Sequence, residues 1–296
     1  MAEIRIGVSG WSYDHWWGGA FYPEGLARRR ALEYVTRRFD SVEINGSFYS
    51  LLKPDTYEKY RETAPAGFLY AVKGSRFITH NKKLREVETP LANFFASGVL
   101  RLEGKLGPFL WQLPAMRWEI ERVARFLELL PRDAEAASKL ARRHDQRVSG
   151  HASMVVHENR RLRHALEVRH EDLLGEKLVR ACRDSGVALV FADSGDWPYT
   201  EELTAGFVYL RLHGSLRTYA SDYDEARLDR WAERIRAWAG GGEPANAERI
   251  TARKPPARKS RDVFVYFDND GSAHAPRNAT ELMERLGVEP PGEWRP

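Results

Sequence analysis

Eight short apolar runs, separated by stretches with helical spacing, restrict the possible folds of this chain more than any other feature. They cover residues 4–8, 41–44, 68–72, 109–113, 165–168, 187–192, 207–212 and 263–267. Most are near-continuous in Val, Leu, Ile, Phe, Trp and Tyr, as expected of parallel strands covered on both faces. Between them apolar residues recur three and four apart: Leu32, Val35 and Phe39; Val123, Phe126, Leu127 and Leu130; Leu174, Leu178, Val179 and Cys182; Leu228, Trp231, Ile235 and Trp238. Eight strands alternating with helices in 296 residues predict an α/β fold, a single-domain (β/α)8 barrel of the TIM type spanning residues 1–296. A doubly wound sheet is the alternative. It lacks its usual glycine fingerprint, because Gly7, Gly10, Gly18 and Gly19 do not stand as G-x-G-x-x-G.

Hydrophobic residues make up 43% of the chain, enough for one large core. The first strand begins almost at once and no apolar run reaches membrane-spanning length, so the expectation is a cytoplasmic protein with no membrane partner. Cys182 is the single cysteine, which rules out an intrachain disulfide or a cysteine-cluster metal site. Lysine and arginine number 46 against 42 acids, a balance that raises nucleic acid as a partner. Much of the excess lies in 139–144, 160–164 and 249–261, each between a helix and the next strand. In a barrel such connections emerge at the rim opposite the usual active site. Residues 240–260, dominated by Gly, Pro, Ala and Arg, read as a mobile basic insertion.

After the first strand comes a loop carrying Trp11, Tyr13, Trp16, Trp17, Phe21 and Tyr22. Rings in a loop need either packing partners or a ligand to cover them, so the loop reads as a ligand-facing wall or as a plug packed by its own rings. Polar residues then recur where strands end: Glu43, Asn45 and Tyr49; Lys73, Arg76 and His80; Gln112; Glu167, Arg169 and His170; Asp193; Arg211 and His213; Asp268, Asn269 and Asp270. Glu43 with Asn45, Glu167 with Arg169, and Arg211 with His213 are two apart, so each pair shares a strand face.

Glu43, Glu167 and Asp193 are formally balanced by Lys73, Arg169 and Arg211, and buried charges of this kind must pair. His80, His170 and His213 favour an anionic ligand beside them. On this reading Glu43, Glu167, Asp193 and His213 are the catalytic candidates. Trp11, Tyr13, Asn45, Tyr49, Lys73, His80, Gln112, Arg169, His170, Arg211 and Asn269 are the ligand-binding candidates. No cofactor is indicated firmly; a divalent metal on Glu43, Glu167, Asp193 and His213 is a weaker option, with no H-E-x-x-H in the chain. Ser9 lies one residue short of a G-x-S-x-G elbow.

Several tracts together resemble the DUF72, or YecE-like, family of bacteria and archaea. They are Gly10-Trp11-Ser12-Tyr13 with Trp16, Phe21, Tyr22 and Pro23; Val42-Glu43-Ile44-Asn45 with Phe48-Tyr49; Lys73 with Ile78-Thr79-His80; Gln112-Leu113-Pro114; Glu167-Val168-Arg169-His170; Tyr209 to Gly214; and Tyr266-Phe267-Asp268-Asn269 with Ala275, Asn278 and Ala279. The resemblance covers nearly the whole chain and implies a barrel related in shape to endonuclease IV and xylose isomerase, with no assigned activity. The chain departs from the family pattern at Glu171-Asp172-Leu173, where a tryptophan is usual, and at Asp268, where the family usually has Asn.

Two functional classes follow. One is an enzyme acting on a small phosphorylated, carboxylated or sugar-like molecule by hydrolase, lyase or isomerase-type acid/base chemistry, with Lys73, Arg169 and Arg211 holding negative charge. The other is a nucleic-acid-binding or phosphodiester-processing protein that stacks bases on the aromatic loop; a non-catalytic ligand-binding barrel is the bland form of either. A closed funnel at the barrel mouth favours the first, and an open basic groove the second.

Overall fold

The computed structural model describes residues 2–294 except 215, 217 and 220. Nine parallel strand segments form one sheet: β1 (Ile4–Ser9), β2 (Ser41–Ile44), β3 (Leu69–Lys73), β4 (Leu106–Gln112), β5 (His164–Glu167), β6 (Ala188–Leu189), β7 (Phe191–Ser194), β8 (Phe207–Gly214) and β9 (Asp262–Phe267). All eight runs read from the sequence form strands, and the sixth is divided into β6 and β7 by Val190 alone. β6 pairs with β5, and Val190 N still donates to Leu166 O at 2.9 Å; one residue on, β7 pairs with β8 through Phe191↔Leu210 and Ala192↔Arg211. The sixth run is thus handed from one neighbour to the other. That hand-over closes the sheet into a nearly complete barrel, while β1 joins β9 from Ile4↔Val263 to Val8↔Phe267.

The helices are α1 (Ala31–Val35), α2 (Gly46–Tyr49), α3 (Pro54–Thr63), α4 (Glu88–Ala96), α5 (Ile120–Leu129), α6 (Ala134–Ala141), α7 (Glu176–Ser185), α8 (Glu225–Ala239) and α9 (His274–Leu286). The three-and-four spacing buries one face of each longer helix, for example Val123, Phe126 and Leu127 on α5 and Leu178, Val179 and Cys182 on α7. Asp133 and Asp224 cap α6 and α8 by accepting from Ala136 N and Arg227 N, which meets the first-turn donors a helix leaves unpaired. No helix among the described residues is long and apolar enough to cross a membrane.

Strand alternation sorts the core into two layers. Val8, Val42, Val72, Trp111, Leu166, Phe191, Leu210 and Val265 face the helices. Ala71, Leu110, Ala165, Ala188, Val190, Ala192, Phe207, Tyr209, Phe264 and Tyr266 form a second cluster inside the barrel. The interior therefore mixes alanines with large rings, and small residues on β3, β5, β6 and β7 make room for Tyr209 and Tyr266 from β8 and β9. The same parity fixes what stands above this layer at the C-terminal end: residues 9, 43, 73, 112, 167, 211 and 268.

Residues 240–260 run along the opposite rim. Arg258 lines a cavity of about 710 Å³ with Glu3, Gly67, Gly107, Arg163 and Gly206, all at or just before strand starts. The connection is tied down by Glu202, which accepts from Ile250 N and Thr251 N at 2.9 Å each.

Gly7 is where β1 approaches β2 most closely: a Cβ there would lie 1.8 Å from Ser41 O. Relieving that overlap means moving one strand of a closed ring. Gly7→Ala is expected to destabilise the protein by about 3 kcal/mol or more, above the ordinary cost of overpacking, as measured by urea unfolding. A change below about 1 kcal/mol would show that the β1–β2 contact is looser than this geometry.

Candidate functional site

Above the Tyr209–Tyr266 layer stands one guanidinium with several partners. Arg211 Nη1 donates to Glu167 Oε2 at 2.7 Å, and Nη2 donates to Glu43 Oε1 at 2.8 Å, Asp268 Oδ2 at 2.9 Å and Ser9 Oγ at 2.9 Å. Side chains of Arg211, Glu43 and Glu167 are 0% exposed. Burying one such ion costs several kcal/mol, so these groups are tolerable only because each carboxylate is met by cations and hydroxyls. Glu43 accepts further from Ser9 Oγ at 2.6 Å and from Tyr209 OH at 2.7 Å; Glu167 Oε1 accepts from Arg169 Nε at 2.6 Å. The phenol of Tyr209 thus forms the floor of the site, and Tyr266 OH is bonded to Ser41 Oγ beside it at 2.7 Å.

Electrostatics follow from this pairing. Burial opposes the Glu167 carboxylate, but Arg169 and Arg211 outweigh it and hold its pKa well below the ordinary value. Asp268 is likewise lowered, with Arg211 and His213 outweighing burial. His213 bridges the two acids, its Nδ1 3.1 Å from Asp268 Oδ2 and its Nε2 3.7 Å from Glu167 Oε2. Arg211 Nη1, which can only donate, lies 3.3 Å from Nε2.

A cover lies over the strand ends. Trp197 packs edge-on to His213 at 4.8 Å, Tyr219 does the same at 5.6 Å, and the Arg169 guanidinium stacks 3.5 Å from the Trp197 ring while donating to Tyr219 OH at 3.2 Å. From the other side Tyr13 reaches in, its OH donating to Ser9 O at 2.6 Å.

One sector of the mouth is left without internal partners. Lys73 is 9% exposed at the end of β3; its carbonyl accepts from Ser47 Oγ at 2.7 Å, but its ammonium makes no hydrogen bond or ion pair with any described residue and sits 4.4 Å from the centre of the Phe48 ring. Burial, and then Arg211, push its pKa down to about 8. On the strands to either side, Asn45 Oδ1 and Gln112 Oε1 are buried acceptors with nothing donating to them. Asn45 Nδ2 is anchored on Ser9 Oγ at 3.0 Å. His80 faces Phe48 at 5.1 Å and bonds Thr79 Oγ1 at 2.8 Å; burial together with Lys73 and Arg169 push its pKa to about 4.

The family model described as "Protein of unknown function DUF72" matches residues 5–295. The chain belongs to the DUF72 family. It is 30% identical to the YecE protein of Escherichia coli K12 over 130 residues, 43% of this chain and 44% of that one, and 30% identical to YunF of Bacillus subtilis over 80 residues, 27% of each. These matches therefore span less than half of either relative. Two DUF72 crystal structures share the fold: one from Thermotoga maritima at TM-score 0.71 and 22% identity, covering 96% of this chain and 99% of that chain, and one from Enterococcus faecalis at 0.67 and 14%, covering 97% and 96%.

In this DUF72 barrel several candidates fall elsewhere than the sequence suggested. Asp193 shares the outward parity of Phe191, and its Oδ2 accepts from Tyr223 OH at 2.8 Å. The third carboxylate on Arg211 is Asp268 instead. Asn269, one residue past Asp268, turns away from the mouth and donates to Ser221 O and Asn278 Oδ1, which ties the β9 end to α9. His170 accepts from Asp172 N at 3.3 Å and caps a short turn. Tyr49 is 69% exposed and touches Phe48 only at its edge. In the aromatic loop, Trp16, Phe21 and Tyr22 pack on one another and on Tyr34 and Phe39, Trp11 packs on Tyr60, and Trp16 Nε1 is hydrogen-bonded to Asp270. The loop is thus a plug from which Tyr13 alone among its named rings bonds the end of β1. Trp197, Tyr219, Tyr209 and Ser9 stand outside the site candidates read from the sequence; Ser9 and Tyr209 share face parity with Gly7 and Arg211, a signal already in the sequence. No group of His, Cys, Asp and Glu able to hold a metal occurs among the described residues, since Glu43 and Glu167 are committed to Arg211 and Asp193 points away.

Because Glu167 and Asp268 are held below their ordinary values of 4.5 and 3.8, their ion pairs stabilise the fold fully above those values and are lost as the pH falls through and below them. Burial raises the pKa of Asp40 to about 7 and that of Asp270 to about 6, which adds stability as the pH falls towards 4, so the loss is read as a difference: the stability advantage of wild type over Asp268→Asn is expected to shrink from pH 5 towards pH 3. Arg211→Gln leaves buried carboxylates facing one another and should cost about 3–5 kcal/mol at pH 7. Guanidinium unfolding curves across this range check both outcomes.

Proposed function

We propose that the chain is an enzyme acting on a small, hydroxylated anionic molecule, bound under the Trp197–Tyr219 cover and turned over by acid/base chemistry. The observation that carries this reading is the unpartnered sector formed by Lys73, Asn45 and Gln112. The guanidiniums of Arg211 and Arg169 already meet carboxylates, which leaves the Lys73 ammonium, among the described residues, as a buried mouth cation without an acid partner to meet a carboxylate or phosphate. Asn45 Oδ1 and Gln112 Oε1 suit hydroxyl groups of the same molecule, since buried acceptors gain most from a donor the ligand brings. His80, with its pKa near 4, is neutral at physiological pH and can take a proton from such a ligand.

Several features weigh against an extended nucleic-acid groove at this end. The charged cluster is fully buried, the aromatic loop is spent on its own packing, and Arg160, Arg161, Arg163 and Arg258 line the cavity at the opposite rim. Calorimetric titration with glycerate and with glycerol 3-phosphate tests the reading. Both should bind, and Lys73→Met should weaken them at least about tenfold, roughly 1.4 kcal/mol. Arg258→Ala should change neither. Equal binding by wild type and Lys73→Met, or loss of binding in Arg258→Ala, would reject this site.

A further inference from the structure

We propose that Lys73 forms a covalent imine with its substrate, which makes the molecule bound in the mouth an aldehyde, a ketone or a 2-oxo acid. The inference rests on the small-ligand reading of the same mouth and narrows its substrate class. It starts from a choice the fold makes between two cations. Three carboxylates, those of Glu43, Glu167 and Asp268, converge at the strand ends, and all three bond the Arg211 guanidinium rather than the Lys73 ammonium. A lysine kept for charge balance would sit against one of those acids. Lys73 instead lies on the face of Phe48, nine-tenths buried, with Asn45 and Gln112 at the ends of the flanking strands.

An amine in that position has what nucleophilic attack on a carbonyl needs. Desolvation and the neighbouring Arg211 favour its neutral form, so the lone pair is available near neutral pH, and low exposure limits competing water. The lone pair forms the C–N bond while the carbonyl π electrons move to oxygen, which takes up a proton. The carbinolamine then loses its hydroxyl as water, and the nitrogen proton leaves with it, giving the imine; overall one carbonyl and one amine become one imine and one water. While the carbinolamine exists, its hydroxyl can donate to Gln112 Oε1 or Asn45 Oδ1, the acceptors left open on either side. Protonation of the imine restores a single positive charge at the place the ammonium held.

Glyoxylate is the probe, because it is the smallest molecule carrying both a carbonyl and a carboxylate. Full-length protein is incubated with limiting glyoxylate and cyanoborohydride at pH 7.5, and adducts are located by peptide mapping. Lys73 is expected to be alkylated at least tenfold faster than the exposed Lys53 or Lys83, with glycerate protecting it. Lys73→Arg, checked for an unchanged thermal melt, should show only the slow surface background. Labelling of Lys73 no faster than the surface lysines, in wild-type protein that still binds glycerate, would overturn the imine and leave the small-ligand site standing. Failure of both labelling and glycerate binding would overturn the two together.

Discussion

The charge of Arg211 organises the top of this barrel. Its guanidinium is planar and carries donors pointing in fixed directions, so carboxylates from β2 and β5, the acid following β9, and a hydroxyl from β1 must arrive at set places around it. Those groups come from strands spaced around the ring, and bonding them to one point restrains the relative heights of the strand ends. A lysine at position 211 would present a single point charge and could not hold the same partners in one plane. The site is therefore also a clamp. What is left over after the clamp is satisfied, the Lys73 sector, is what chemistry can use.

Much of this organisation is legible in the amino-acid order. The eight apolar runs all become strands because continuous Val, Leu and Phe suit a sheet covered by helices on one face and filled by its own side chains on the other. Glu43, Glu167 and Arg211 meet because strand ends of a barrel converge and residues two apart share a face. Asp193 and Asn269 were misplaced for the same reason: choosing one acid or amide from a strand end requires the parity of that strand. On β7 the alanine at 192, not the aspartate at 193, faces inward. The parity of β9 was readable from Tyr266, whose ring fills the interior and puts Asp268 inward with it.

The cover is the part that could not be read. Trp197 and Tyr219 lie in loops with no periodicity, and their positions over His213 and Arg169 depend on how two separate connections fold across the mouth. Of the two readings open for the aromatic loop after β1, the plug is the one that forms, because Tyr34 and Phe39, from the next helix and the segment beyond it, supply the apolar face that buries its rings.

The ladder joining β1 to β9 pairs Ile4 with Val263, so the first and last strands of the chain are adjacent in space and far apart in sequence. During synthesis this order has a consequence. Glu43 and Glu167 leave the ribosome well before Arg211, and Arg211 before Asp268 and the strand that seals the ring. Until then an early collapse of the first five strands would leave Glu43 without the cation that meets it in the finished barrel, and Glu167 with Arg169 alone. The charge cluster at the mouth is therefore complete only when the strand that seals the ring is in place.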